Sequence, residues 1–63
     1  MYKLFDVVRL NNGVEGTLIE EYPDGFFMIE VDRDNQEPEL MDIEAESISK
    51  LIFRLPSEDF LTS

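Results

Sequence analysis

The most regular alternation of apolar and polar residues in the chain runs from Phe26 to Arg33. Successive side chains of a β-strand point to opposite sides, so a period of two residues indicates a strand with one buried face. One side of this run is entirely apolar and is expected to face the core; it consists of Phe27, Ile29 and Val31. The other side is expected to face outward and carries Phe26, Met28 and Glu30.

Turn-forming residues divide the rest of the chain into runs of similar length. Asn11-Asn12-Gly13 and Pro23-Asp24-Gly25 have the chemistry of tight turns, because proline presets φ and glycine accepts a positive φ. The segment 32–36 is polar and turn-prone, and Pro38 limits where the following strand begins. The strands predicted between these breaks are Phe5–Leu10, Gly16–Tyr22, Phe26–Arg33, Glu39–Ile43 and Ser49–Leu55.

Two local features refine this division. Leu18 and Ile19 are adjacent and cannot both face inward on a regular strand, so a bulge near Gly16 is expected. The segment 44–48 favours a helix but is one turn long, which predicts a 3-10 turn near Ala45 to Ile48. Five short strands, tight turns and one helical turn are typical of a small antiparallel barrel or roll. We therefore predict one such domain over residues 1–55 and a polar C-terminal tail over 56–63.

Apolar packing has to stabilise this domain, because a chain of 63 residues without cysteine forms neither a disulfide nor a thiolate metal site. The apolar residues of the predicted strands suffice for a small core. The predicted core comprises Leu4, Phe5, Val7, Val8, Leu10, Leu18, Ile19, Phe27, Ile29, Val31, Leu40, Ile43, Ile48, Leu51 and Phe53.

Fifteen acidic residues against five basic ones give the chain a net charge of −10. Such a charge repels phosphate backbones and anionic lipid surfaces, so neither direct nucleic-acid binding nor membrane binding is expected. It attracts a basic protein partner at long range, and it equally serves solubility alone. The sequence shows no targeting segment and no apolar stretch long enough to span a bilayer, so a cytoplasmic location is expected.

Few residues of the chain are suited to catalysis. Histidine and cysteine are absent, and the acidic residues are scattered, which predicts a solvated acidic face rather than an acid–base pair. The segment 32–36 is similar to the start of a calcium loop, but Glu37 and Ile43 replace the glycine and the final glutamate that such a loop requires. We therefore predict no enzymatic activity, no cofactor and no metal site.

The candidate partner-binding residues surround the Pro23-Asp24-Gly25 turn. Tyr22, Phe26 and Met28 are expected to form a partly exposed apolar patch, and they equally suit a role in covering one open end of the barrel. The tail after Pro56 carries Phe60, which suits packing against the domain or docking into a partner. The full set of candidates is Glu20, Glu21, Tyr22, Asp24, Phe26, Met28, Glu30 and Phe60.

Four segments carry a family resemblance. Residues 4–10 are similar to an opening strand, residues 13–20 to a Gly-x-x-Gly-Thr-Val-Val-Glu turn and strand, and residues 24–31 to an Asp-Gly-x-Tyr-x-Val-Glu-Phe hairpin. Residues 40–51 are similar to the closing strand and turn of the same pattern. Together they resemble a bacterial family of small barrels, the DUF4926 type. This resemblance implies an all-β, five-stranded antiparallel SH3-like small barrel with one short 3-10 turn.

The resemblance also implies an antitoxin or immunity role. With the acidic charge, this predicts a non-enzymatic protein-binding module that inhibits a basic partner such as a nuclease or toxin, and nucleic-acid mimicry is a variant of the same role. The glycine-bearing second strand is also similar to the KOW motif of ribosomal and transcription factors. That likeness implies the alternative, an accessory or structural domain that contacts ribosomal or transcription proteins.

Overall fold

A computed structural model describes residues 2–55 of the chain. These residues form one antiparallel sheet and one 3-10 turn, which confirms the predicted all-β class, the five strands and the helical turn. The predicted tail 56–63 lies outside the described residues. The elements are β1 (Val7–Leu10), β2 (Glu15–Glu21), β3 (Phe26–Arg33), β4 (Gln36–Glu44), the 3-10 turn (Ala45–Ser47) and β5 (Ile48–Phe53).

The strands lie in the order β4-β3-β2-β1-β5. The first four strands pair with their sequence neighbours, and β5 returns to pair with β1. Strands β4 and β5 are thus the two edges, and within residues 2–55 they do not pair with each other, so the sheet is open there. The 3-10 turn connects these edges: the Ala45 amide donates to the Gly25 carbonyl at 2.9 Å, and the Asn11 amide donates to the Ser47 carbonyl at 2.8 Å.

The core lies on the inner side of the curved sheet. Burying one aliphatic or aromatic side chain of this kind stabilises a domain by about 2 kcal/mol. Seven predicted core residues are confirmed as buried: Val8, Leu10, Leu18, Phe27, Ile29, Val31 and Ile48. Three are half-buried, namely Val7, Ile19 and Ile43. Five predictions are wrong, because the side chains are exposed: Leu4, Phe5, Leu40, Leu51 and Phe53.

A turn at Leu4–Phe5 explains the first two errors. Strand β1 begins at Val7 rather than at Phe5, whose φ of 70° is incompatible with a strand. The Asp6 carboxylate accepts a hydrogen bond from the Lys3 amide at 2.8 Å, which holds this turn. Because Asp6 rather than Phe5 occupies the interior, Leu4 and Phe5 point outward.

Two features explain the other three errors: Leu40 opposes Glu30 and so points outward, and Leu51 and Phe53 lie on the edge strand β5. Strand β4 begins at Gln36 and runs through Pro38, whereas the sequence predicts a start after the proline. A proline is tolerated there because β4 is an edge strand and its pairing with β3 shifts register opposite Pro38. The preceding turn is only Asp34–Asn35, shorter than the predicted 32–36. Strand β5, predicted over 49–55, covers Ile48–Phe53 and within residues 2–55 pairs only with β1; most of its side chains are exposed.

Strand β2 contains the predicted bulge, but not at Gly16. The register with β3 shifts between Leu18 and Glu20, which lets Leu18 be fully buried while Ile19 is half-buried. Gly16 instead permits a close approach of β2 to β3. A Cβ atom at Gly16 would lie 2.6 Å from the Glu30 carbonyl oxygen and 2.8 Å from Ile29 Cγ1, so a side chain has no room there.

Candidate protein-binding face

The outward side of β2, β3 and β4 carries the candidate site. Directly opposed residues of an antiparallel pair point to the same side of the sheet. Glu20 opposes Met28, which opposes Asp42; Glu30 opposes Leu40; and Phe26 opposes Glu44. We call this surface the outer face; it consists of Glu20, Phe26, Met28, Glu30, Leu40, Asp42 and Glu44.

The centre of the outer face is apolar and its surroundings are acidic. Phe26 is 39% exposed and Leu40 is 54% exposed, and Met28 between them is half-buried. The four carboxylates of the outer face lie around these three side chains. The apolar patch predicted from Tyr22, Phe26 and Met28 therefore extends to Leu40.

No outer-face carboxylate forms an ion pair with another residue in the part of the chain that the structure describes. The ion pairs there join Arg9 to Glu15 at 2.6 Å, Arg33 to Glu39 at 2.7 Å and Arg54 to Asp6 at 2.8 Å. None of these pairs includes a residue of the outer face. The negative charge of the face is therefore not neutralised by these arginines.

Tyr22 follows β2 and bends over the outer face. Its amide donates to the Phe26 carbonyl at 2.8 Å, and its hydroxyl donates to Asp42 Oδ1 at 3.3 Å. Partial desolvation, the negative charge and hydrogen bond of Asp42 and the negative charge of Glu20 raise the pKa of the Tyr22 hydroxyl above its ordinary value. The hydroxyl consequently stays protonated at neutral pH and remains a hydrogen-bond donor.

A depression lies beside the Tyr22–Asp42 contact. It has a volume of about 430 Å³ and is lined by Tyr22, Pro23, Asp24, Phe26 and Asp42. Gly25, which has a φ of 81°, forms the tight turn that brings the two ends of this segment together. The depression combines two aromatic rings with two carboxylates, and it opens onto the outer face.

The structure brings most, but not all, of the predicted site residues together. Glu20, Tyr22, Asp24, Phe26, Met28 and Glu30 lie on the outer face or at its margin. Glu21 does not, because it opposes Phe27 and so points to the inner side, where it lines a different cavity of about 300 Å³ with Tyr2 and Ala45. The predicted Phe60 lies outside the described residues.

Sequence reasoning missed Asp42 and Asp6. Asp42 reaches the site through β4, whose register with β3 is not evident from local patterns. Asp6 is the one buried charged residue of residues 2–55, with 1% exposure, and Arg54 Nε and an Arg54 terminal nitrogen donate to its two oxygens at 3.0 and 2.8 Å. The only signal for Asp6 is an acidic residue set between two apolar ones, Phe5 and Val7.

The Asp6 carboxylate is held in its ionised form. The hydrogen bonds from Arg54 lower its pKa most; burial opposes them, while the Lys3 amide and the charges of Arg54 and Lys3 assist. A carboxylate fixed by an arginine in this way is a structural element rather than a proton donor near neutral pH. It links the turn before β1 to the residue that follows β5.

Residues 2–55 contain no group of three or more acidic side chains arranged to hold a metal ion. They also include no helix of the length and hydropathy needed to cross a bilayer.

Comparison of the chain with protein-family models, with characterised proteins and with solved structures finds no match. The resemblance to DUF4926-type barrels and to KOW motifs accordingly stays a prediction.

Proposed function

We propose that this chain is a non-enzymatic protein-binding module whose outer face binds a basic protein. The observation that carries the proposal is the apolar centre of Phe26, Met28 and Leu40, surrounded by four carboxylates that the arginines of the described part leave unpaired. An antitoxin or immunity protein that inhibits a cationic nuclease or toxin fits this surface, and an SH3-like roll fits the strand order. The inhibitory role and the SH3-like roll are both part of this proposal.

The distribution of apolar and charged groups supports such a role. Protein interfaces commonly have an apolar, well-packed centre and a polar margin, and a few central side chains contribute most of the affinity. Opposite charges at the margin speed association and select the partner. The outer face presents both features on a sheet, which is a rigid scaffold for them.

The residue content of the chain and the pairing of Asp6 both support a non-enzymatic role. The chain lacks histidine and cysteine, and the buried carboxylate of the described part is already neutralised by Arg54. Three of the four outer-face carboxylates, Glu20, Asp42 and Glu44, are exposed, whereas catalytic groups usually lie in a cleft. Binding is thus the function that these groups serve best.

Charge reversal on the outer face tests the proposal. We expect Glu20→Lys combined with Glu30→Lys to lower the affinity for a basic partner by about 100-fold, since each reversed charge near an interface changes binding by on the order of tenfold. The partner would be captured from a lysate of the source organism, identified and purified, and its dissociation constant measured by calorimetry at two salt concentrations. Wild-type binding should weaken as salt rises.

The matched control reverses two carboxylates elsewhere. Glu37→Lys combined with Glu46→Lys changes the net charge by the same amount at exposed positions that do not belong to the outer face. We expect this variant to keep the affinity within about threefold of wild type at physiological salt. A partner that is neutral or acidic, or equal losses in both double variants, would contradict the proposal.

A further inference from the structure

The depression lined by Tyr22, Asp24, Phe26 and Asp42 has a chemistry of its own within the outer face. We propose that it is a pocket for a single arginine side chain of the partner, an inference that rests on the proposed function and names the group that the site recognises. Its volume of about 430 Å³ leaves room for a guanidinium group and part of its aliphatic stem.

The lining selects a cation. Asp24 and Asp42 are the charged groups of the pocket, and Glu20 lies near enough to raise the pKa of the Tyr22 hydroxyl. The arginines of the described residues pair with Asp6, Glu15 and Glu39, so none of these ion pairs neutralises the pocket. The two carboxylates repel a phosphate or carboxylate ligand.

The lining also selects arginine over lysine. A guanidinium is planar and weakly hydrated, stacks on aromatic rings, and presents several N–H donors in a fixed fork. Phe26 is 39% exposed, and Tyr22 and Pro23 complete the apolar walls against which such a plane can lie. An ammonium group is a compact, strongly hydrated charge that gains less from these walls.

Asp42 has acceptor positions left for the N–H donors of a guanidinium group. Only its Oδ1 accepts a hydrogen bond from Tyr22, at the long distance of 3.3 Å, and an ionised carboxylate has about four acceptor positions. The Tyr22 hydroxyl thereby orients Asp42 without saturating it. Asp24, on the turn between β2 and β3, also lines the depression and offers a second carboxylate to the same ligand.

Three peptides that differ in one side chain test the pocket directly. The peptides are acetyl-Gly-Gly-Xaa-Gly-Gly-amide with arginine, lysine or citrulline at Xaa, where citrulline keeps the shape of arginine without its charge. Titration is followed by the backbone amide signals of the ¹⁵N-labelled chain. We expect the arginine peptide to bind with a dissociation constant of about 1 mM, to shift the signals of Tyr22, Asp24 and Phe26, and to bind at least threefold more tightly than the lysine peptide.

Four variants connect these shifts to the pocket. Asp42→Asn and Phe26→Ala should each weaken arginine binding at least fivefold. Their matched controls, Asp34→Asn in the distant β3–β4 turn and Phe53→Ala on β5, should leave it within twofold. Each variant is first checked for a dispersed amide spectrum, so that a loss of binding is not a loss of folding. The arginine-pocket proposal would be overturned by equal binding of the arginine and lysine peptides. It would also be overturned if Asp34→Asn reduced the affinity for the arginine peptide as much as Asp42→Asn.

A deca-arginine peptide distinguishes a failure of the arginine-pocket proposal from a failure of the proposed function. Binding of that peptide that depends on Glu20 and Glu30, without specific shifts from the single-arginine peptide, rejects the pocket and leaves the basic-partner face standing. No binding of either peptide at physiological salt rejects both.

Discussion

Replacing Asp6 by alanine is expected to lower the free energy of unfolding by about 3 kcal/mol, the largest effect of any single carboxylate in the described residues. The Asp6 side chain is 1% exposed and accepts hydrogen bonds from Arg54 and from the Lys3 amide. Alanine leaves these donors without their acceptor and opens a cavity beside β1. Urea denaturation followed by fluorescence or circular dichroism measures the change, which is a large fraction of the total stability of so small a domain.

A double variant separates the ion pair from simple packing. The destabilisation caused by Arg54→Ala should be smaller in the Asp6→Ala background than in the wild type, because the Asp6–Arg54 contact is then already lost. Fully additive losses from the two single variants would show that the Asp6–Arg54 contact does not stabilise the fold.

The same carboxylate has a predictable pH dependence. The pKa of Asp6 is lowered in the folded state, so its contribution is fully present above the unfolded pKa of about 3.9 and is lost as the pH falls through the folded pKa. The stability difference between wild type and Asp6→Asn should therefore be constant from about pH 5 to pH 8 and shrink below about pH 4. Taking the difference removes the titration of the other carboxylates, which is common to both proteins. A difference that grew toward acid pH would contradict the assignment.

The parts of the fold that sequence predicts well are those governed by neighbouring residues. The alternation along β3, the turn at Pro23-Asp24-Gly25 and the short 3-10 turn each depend on a few adjacent side chains, and the structure confirms them. Leu4 and Phe5 are predicted in the core because they are apolar, but Asp6 takes that interior position and is held there by Arg54, 48 residues away. A pairing over that distance leaves no periodic pattern for sequence reasoning to detect.

In the candidate site, too, the positions set by neighbouring residues are predicted and those set by strand pairing are not. Phe26, Met28 and Glu30 follow directly from the period of one strand, and they lie on the outer face as expected. Glu21 points away from the outer face because the bulge between Leu18 and Glu20 changes which residues of β2 point outward. Asp42 was missed because only the β3–β4 register, which local patterns do not reveal, sets it opposite Met28.

Replacing Gly16 by alanine is the second change with a large expected effect, a loss of about 2–3 kcal/mol in the free energy of unfolding. The added Cβ would lie 2.6 Å from the Glu30 carbonyl oxygen, a contact that real Cβ atoms do not make. The opposing atom belongs to the backbone of β3, so no rotation of a side chain relieves the clash. Strands β2 and β3 must therefore separate, which disturbs the packing of the buried Ile29 and Leu18.

Gly25→Ala is the matched control, since it adds the same methyl group where no atom lies within 4 Å. Gly25→Ala should lower the free energy of unfolding by about 1 kcal/mol, only because a φ of 81° is unfavourable for alanine. Thermal and urea denaturation of both variants should thus place Gly16→Ala clearly below Gly25→Ala in stability, and the amide signals of Ile29 and Glu30 should shift in the first variant alone. If the two variants were equally stable, the close approach of β2 to β3 at Gly16 would be wrong.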